Sequence, residues 1–214
     1  MTKMNTLAFS TAILAGLAMA APTIPFVTPN AVLPLAKAPA TAPVLSERQS
    51  KACFVIGSTT LPAEVADVVT SIENTVTCDN TKTTISGVPD VTSGAVSFSD
   101  VDFSQSSQTP LQFALSKFAT STPLADTDLQ TFQDQLNTYL ATEAGIRSVG
   151  GSLAIKVPKF FLQYQVSRIQ TAQGNPPAAV GSQVDHLRDK VIKNAAGESQ
   201  SLLDQVTALA TQLS

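Results

Sequence analysis

Six of the thirteen prolines fall between residues 21 and 46, at Pro22, Pro25, Pro29, Pro34, Pro39 and Pro43, interleaved with alanines. Proline fixes φ and removes a backbone donor, so a stretch this dense joins neither a helix nor a central strand. Residues 21–51 are therefore expected to form an extended Ala/Pro-rich tether or propeptide, and the folded core has to come from the residues beyond it. The preceding segment has its own character. Lys3 opens it, an apolar run extends from Leu7 to Ala18, and Ala18-Met19-Ala20 supplies the small-x-small pattern of a cleavage site. That is the layout of a secretory signal peptide over residues 1–20. The run is too short, and too polar at Ser10 and Thr11, for a membrane span. A single globular domain is expected over 52–214.

Export decides how the two cysteines are read. In a secreted chain an even count reads first as a disulfide, and Cys53 and Cys78 allow one intramolecular pairing. Closing that loop would contribute roughly 3–4 kcal/mol in the chain-entropy account. A reactive thiol or half of a metal site is the alternative, but neither a Cys-x-x-Cys spacing nor a neighbouring histidine supports it.

Residues 1–20 hold one basic residue, Lys3, and no acidic one. The chain's 13 basic and 16 acidic residues therefore leave 12 against 16 over residues 21–214, a net charge of −4. That balance gives no footprint for nucleic acid or for an anionic membrane. No later stretch has the apolar length of a transmembrane segment. The expected localisation is extracellular.

Local patterns then lay out the domain. Cys53-Phe54-Val55-Ile56, ended by Gly57, reads as a short buried strand. Pro62 and Glu64 suit a helix start, and Leu61, Val65, Val68 and Ile72 lie at helical spacing. Lys82–Ser86 and Ala95–Phe103 are β-type runs with turn residues at Gly87–Asp90 and Ser93-Gly94. Val96 and Phe98 share one face, whereas Val101 and Phe103 fall on the other, which requires a bulge or a strand end near Ser99-Asp100. Thr109-Pro110 caps a short helix, and Thr127 to Gln130 fits a capping box for a longer one with Leu129, Phe132, Leu136 and Leu140 on one face. Leu153, Ile155 and Val157 suggest a brief strand or connector, and Pro158 can begin a helix over Lys159 to Gln173. Two final stripes, from Val180 to Val191 and from Leu202 to Leu213, read as a helical pair divided near Ala195–Gly197. The expected fold is α+β: mostly helical, with a small N-terminal β element and one disulfide staple.

Candidate chemistry is sparse. His186 is the only histidine, so a Ser-His or Cys-His mechanism would have to use it, yet it lies on a charged helix face with no nucleophile elbow anywhere in the chain. Asp100 and Asp102, at i and i+2, form a candidate metal or acid–base pair; on a continuous strand they would point the same way. Asp126 and Asp128 are better placed as N-terminal charge on the next helix. Phe160, Phe161 and Tyr164 form a candidate apolar ligand site between helices, against the simpler reading of a packed core. With no tryptophan and two tyrosines, the usual stacking platform for sugars is hard to build. Arg147, Lys156, Lys159 and Arg168, with Glu143 the only acid nearby, gather as a basic face if the fold brings them together.

Cys53-Phe54-Val55, Val76 to Asp79, Gly87 to Asp90, Pro110 to Leu115, Pro123 to Leu129, Tyr139 to Ser148 and Lys159 to Leu162 together resemble a family of small secreted proteins from filamentous fungi. That family has no assigned function. The resemblance spans residues 52–214; it implies secretion and a two-cysteine core and assigns no catalytic residue.

The expected function is accordingly that of a secreted non-enzymatic protein acting on a cell wall or on a host or competitor surface, with no cofactor. The alternatives are a carrier of a small apolar ligand held near Phe160, Phe161 and Tyr164, and an unrecognised hydrolase using Asp100 and Asp102.

Overall fold

The computed structural model describes residues 52–213. The expected signal peptide (1–20) and tether (21–51) lie outside the described residues.

The segment Ala52–Thr60 is not the strand that its apolar run suggests. It begins as a turn, closed by the Val55 N–H donating to the Ala52 carbonyl at 3.0 Å. A strand needs a neighbour's ladder, and here the next amides go elsewhere. Ile56 and Gly57 donate to the Ser148 hydroxyl at 3.2 and 2.9 Å. The burial expectation still holds for Phe54, which is fully enclosed.

Helix α1 (Ala63–Ile72) starts after Pro62, carries Glu64 in its first turn, and buries Val65, Ala66, Val69 and Ile72. Three antiparallel strands come next, in sheet order: β1 (Val76–Thr83), β2 (Pro89–Ser93) and β3 (Val96–Ser97). Cys78 pairs with Val91, and the register breaks between Asp79 and Thr83. The strands are displaced from the expected runs. Lys82–Ser86 is split, because Ser86 and Gly87 turn the chain at φ 57° and 77°. Pro89–Ser93, which begins in expected turn chemistry, is the central strand, with Pro89 at its first position where a missing donor costs least. β3 stops at Ser97, so the expected register break takes the form of a strand end. Tight turns at Phe98–Asp100 and Phe103–Gln105 then carry both phenylalanines into the core.

Helix α2 (Pro110–Lys117) is capped by Thr109, whose hydroxyl accepts the Gln112 N–H. Helix α3 (Leu129–Ser148) is capped by Asp128 rather than Thr127: the Asp128 carboxylate accepts the Gln130 N–H, while the Thr127 hydroxyl accepts from Ser121. Leu153–Ile155 is a 3-10 turn, not a strand, and runs straight into α4 (Lys156–Ala172), which therefore starts before Pro158. The closing pair is α5 (Val184–Asn194) and α6 (Gln200–Leu209). Val180 sits in a separate turn, 71% exposed, and leaves the apolar stripe of Val184, Leu187 and Val191.

Helix α3 is the spine. It packs against the sheet on one side, against α1 on another, and against α4, which in turn carries α2 and α5. The approach is close at Gly145, where a Cβ would stand 2.6 Å from the Phe54 carbonyl oxygen and 2.8 Å from Val88. The Cys53–Cys78 disulfide ties the leading turn to β1, just past the end of α1. The fold is thus mostly helical α+β with one small antiparallel sheet and one disulfide. Among the described residues no helix is long and apolar enough to cross a membrane.

Candidate functional site

Where α3 meets α4, one carboxylate is shared by two cations. Glu143 and Arg147 lie one turn apart on α3, so their side chains meet on one face. Arg147 Nε donates to Glu143 Oε1 at 2.9 Å, and Lys159 Nζ, from the first turn of α4, stands 2.7 Å from Glu143 Oε2. Glu143 is 3% exposed and Lys159 8%. Charges this far from water persist only when paired. Burial by itself would raise the Glu143 carboxyl, but the Lys159 ammonium and the hydrogen bonds from Lys159 and Arg147 outweigh it and hold the group below its ordinary value. Burial pulls Lys159 down, Glu143 opposes that, and the charges of Arg147 and Lys156 press in the same direction as burial.

The cluster continues outward through Phe160. Its half-buried ring has Lys159 Nζ 3.9 Å from the centroid on α4 and Lys190 Nζ 5.3 Å away from α5. Aromatic faces attract cations electrostatically, so the ring can hold two ammonium groups near each other without an intervening carboxylate. Arg147 reaches Glu143 only through Nε; its two terminal nitrogens donate to no protein group among the described residues. Asp185 and Asp189, the acids of α5 near Lys190, both face Arg188 at 2.8 Å. Glu143 thus pairs with Arg147 and Lys159, while Lys156 and Lys190 have no ion-pair partner among the described residues.

The expected basic face therefore forms in part. Arg147, Lys156 and Lys159 come together and Lys190 joins them, while Arg168 goes inside. It is 2% exposed and donates from Nε to the Leu209 carbonyl and from Nη2 to the Gln212 carbonyl, both at 2.8 Å, and from Nη1 to Gln165. Carbonyls at the C-terminal end of α6 point their negative ends at this guanidinium, which is how a buried cation can do without a carboxylate.

Phe160, Phe161 and Tyr164 are separated by the helix they share. Phe160 belongs to the cation cluster. Phe161 and Tyr164 are fully buried, ring centroids 6.1 Å apart, and the Tyr164 hydroxyl donates to the Val206 carbonyl at 2.9 Å. Asp100 and Asp102 do not share a strand face, because the strand has ended. Asp100 accepts the Ser97 N–H at 3.1 Å, and Asp102 accepts the Ser104 N–H and hydroxyl at 2.9 and 2.7 Å. Each carboxylate closes its own turn. Among the described residues no three His, Cys, Asp or Glu side chains are grouped as metal ligands. His186 lies on the exposed side of α5.

Sequence reasoning missed Lys190 and the central place of Glu143. The Glu143–Arg147 spacing was a usable local signal; the pairing with Lys159 and the approach of Lys190 depend on how three helices pack.

No curated protein and no solved structure matches the chain. A protein-family model, described as a domain of unknown function, matches residues 55–214 and so takes in all of α1 to α6, the sheet and the cation cluster. The chain belongs to that family, DUF7143.

Proposed function

We propose that this protein is exported and acts without enzymatic chemistry, as a binding domain at a cell wall or at the surface of a host or competitor. The observation that carries the reading is the group of cations around Glu143 and Phe160, on a chain whose net charge is negative. Local charge against an opposite background steers a protein to a charged surface and orients it there. The disulfide suits an oxidising exterior, and the signal-like residues 1–20 supply the route. The resemblance to small secreted fungal proteins makes a fungal wall the first surface to try. The carrier and hydrolase readings gain less: Phe161 and Tyr164 are committed to packing, and Asp100 and Asp102 to their own turns.

Co-sedimentation tests the proposal. Protein secreted by its own host is mixed with insoluble wall fractions and with intact cells, and the pellet is assayed. Salt-sensitive pelleting is the expected result; protein that stays in the supernatant with every surface overturns it.

A further inference from the structure

We infer that Arg147, Lys156 and Lys190, arranged about the buried Glu143–Lys159 pair and Phe160, bind the carboxylates of an acidic, uronate-bearing polysaccharide. The inference rests on the surface-binding reading and gives that surface a chemistry.

Arg147 is the anchor. Its Nε is fixed on a buried carboxylate at 2.9 Å, and its side chain is 16% exposed, so the guanidinium is pre-positioned with its terminal nitrogens free. A planar fork held from behind presents parallel donors that match a carboxylate. Little conformational freedom is then lost on binding.

The local charge is unbalanced in the direction an anion would correct. Lys156 and Lys159 both sit in the first turn of α4, which carries no acidic residue and no side-chain cap. Cations there oppose the positive end of the helix dipole as well as each other. Glu143 offsets one of them. Lys156 and Lys190 have no ion-pair partner among the described residues.

Extent selects the ligand. The contacts run from Arg147 through Glu143 and Lys159 to Phe160 and Lys190, and so cross from α3 over α4 to α5. A single small anion would meet one cation. An extended chain with regularly spaced carboxylates meets several in turn, and the apolar face of a sugar ring can cover half-buried Phe160 between them. Duplex nucleic acid fits less well, because its phosphates, one negative charge per about 1.7 Å of axis, would meet the negative remainder of the protein, −4 over residues 21–214.

Calorimetric titration of the protein with an oligogalacturonate, a neutral cello-oligosaccharide, inorganic phosphate and a single-stranded oligonucleotide tests the inference. Binding of the oligogalacturonate that weakens as salt rises is expected, with no heat from the neutral sugar. Lys156→Gln/Lys190→Gln should weaken it by about tenfold without a large fall in the unfolding midpoint, since neither side chain has an ion-pair partner. Equal affinity in wild type and variant overturns the site, and so does a preference for the neutral sugar, for phosphate or for the oligonucleotide. Wild-type protein that pellets with walls yet ignores the oligogalacturonate removes this inference and leaves the surface-binding reading standing. Protein that pellets with no surface removes the reading itself.

Discussion

Gly57 donates its backbone N–H to the Ser148 hydroxyl at 2.9 Å, and the two backbones lie so close that a Cβ at position 57 would overlap the Ser148 carbonyl oxygen. Ser148 does more than accept that bond. Its hydroxyl also takes the Ile56 N–H and donates to the Gly145 carbonyl, and its own carbonyl accepts the Thr59 N–H. The last residue of the spine helix thereby holds the leading segment across a sequence separation of 91. Phe54 is kept in the core by that hold and by the disulfide next to it.

Gly57→Ala should therefore destabilise the fold although alanine is a small change. Forcing a methyl group into packed backbone costs roughly 1–3 kcal/mol. Ser148→Ala acts on the same contact by stranding two amides, at a cost of roughly 1–3 kcal/mol. Urea unfolding of the two variants reads both values. A Gly57→Ala midpoint equal to wild type would mean that the leading segment is not seated against Ser148.

Opening the disulfide should lower stability without erasing the structure. Cys53→Ser/Cys78→Ser removes the loop constraint, worth about 3–4 kcal/mol in the chain-entropy account. Phe54 and the Ser148 hydrogen bonds remain to hold the same segment. Far-ultraviolet circular dichroism should keep its helical shape at room temperature while the thermal midpoint falls by several degrees. Loss of the helical signal in the variant would show that the bridge, and not the Ser148 contact, holds the leading segment.

How much of this was legible from sequence depended on range. Helix starts at Pro62 and Thr109-Pro110 were readable because caps and first-turn preferences are decided within four residues. The stripe of Phe132 and Leu136 was readable for the same reason, periodicity being local. The leading segment was not. Its apolar run is buried as expected, but whether it becomes a strand depends on what its amides meet, and they meet a side chain 91 and 92 positions away. Pro89–Ser93 was hidden because turn-forming residues at its start masked a strand whose partner is Val76–Asp79. Leu153, Ile155 and Val157 alternate like a strand yet form a tight turn and the start of a helix, since a run that short fits either period. At the cation cluster, Glu143 and Arg147 could be paired by spacing alone; Lys190 needed the packing of α5 on α4.

Tyr139 should be a point of high sensitivity. Its hydroxyl donates to the Val101 carbonyl at 2.6 Å, and its ring packs edge-on to Phe98 and Phe118 at 5.1 and 5.8 Å. Burial first, and then the Asp102 charge, push its phenol well above the ordinary tyrosine range, so it is a donor at neutral pH. Tyr139→Phe keeps the packing and strands one buried carbonyl, at a cost of about 1–3 kcal/mol. Tyr139→Leu also forfeits the edge-on contacts, which add about 0.5–1.5 kcal/mol for each aromatic pair. Denaturant midpoints in the order wild type, Phe, Leu are the expected outcome. A Phe variant as stable as wild type would show that water replaces the hydroxyl at Val101.

Glu143 should make the protein sensitive to acid. Its folded-state carboxyl is held below the ordinary glutamate value by Lys159 and Arg147 against the opposing effect of burial. The unfolded chain then binds more protons than the native one over the window between the two values, so stability rises with pH there. The contribution is fully present above the unfolded value, about 4.3, and is lost as pH falls through the lower folded value. Glu143→Gln removes the titrating group and leaves Lys159 buried without a counter-charge, a loss of about 3–5 kcal/mol near neutral pH. Lys159→Met costs less, because Arg147 still serves the carboxylate. The double variant should lose less than the two single losses combined, since it leaves no buried charge orphaned. Urea midpoints measured from about pH 3 to about pH 7 separate these effects, with the acid slope of Glu143→Gln shallower than that of wild type. Parallel slopes in the two proteins would mean that acid acts through other carboxylates, such as Asp90 beside Lys82, and that Glu143 titrates alike in the folded and unfolded chain.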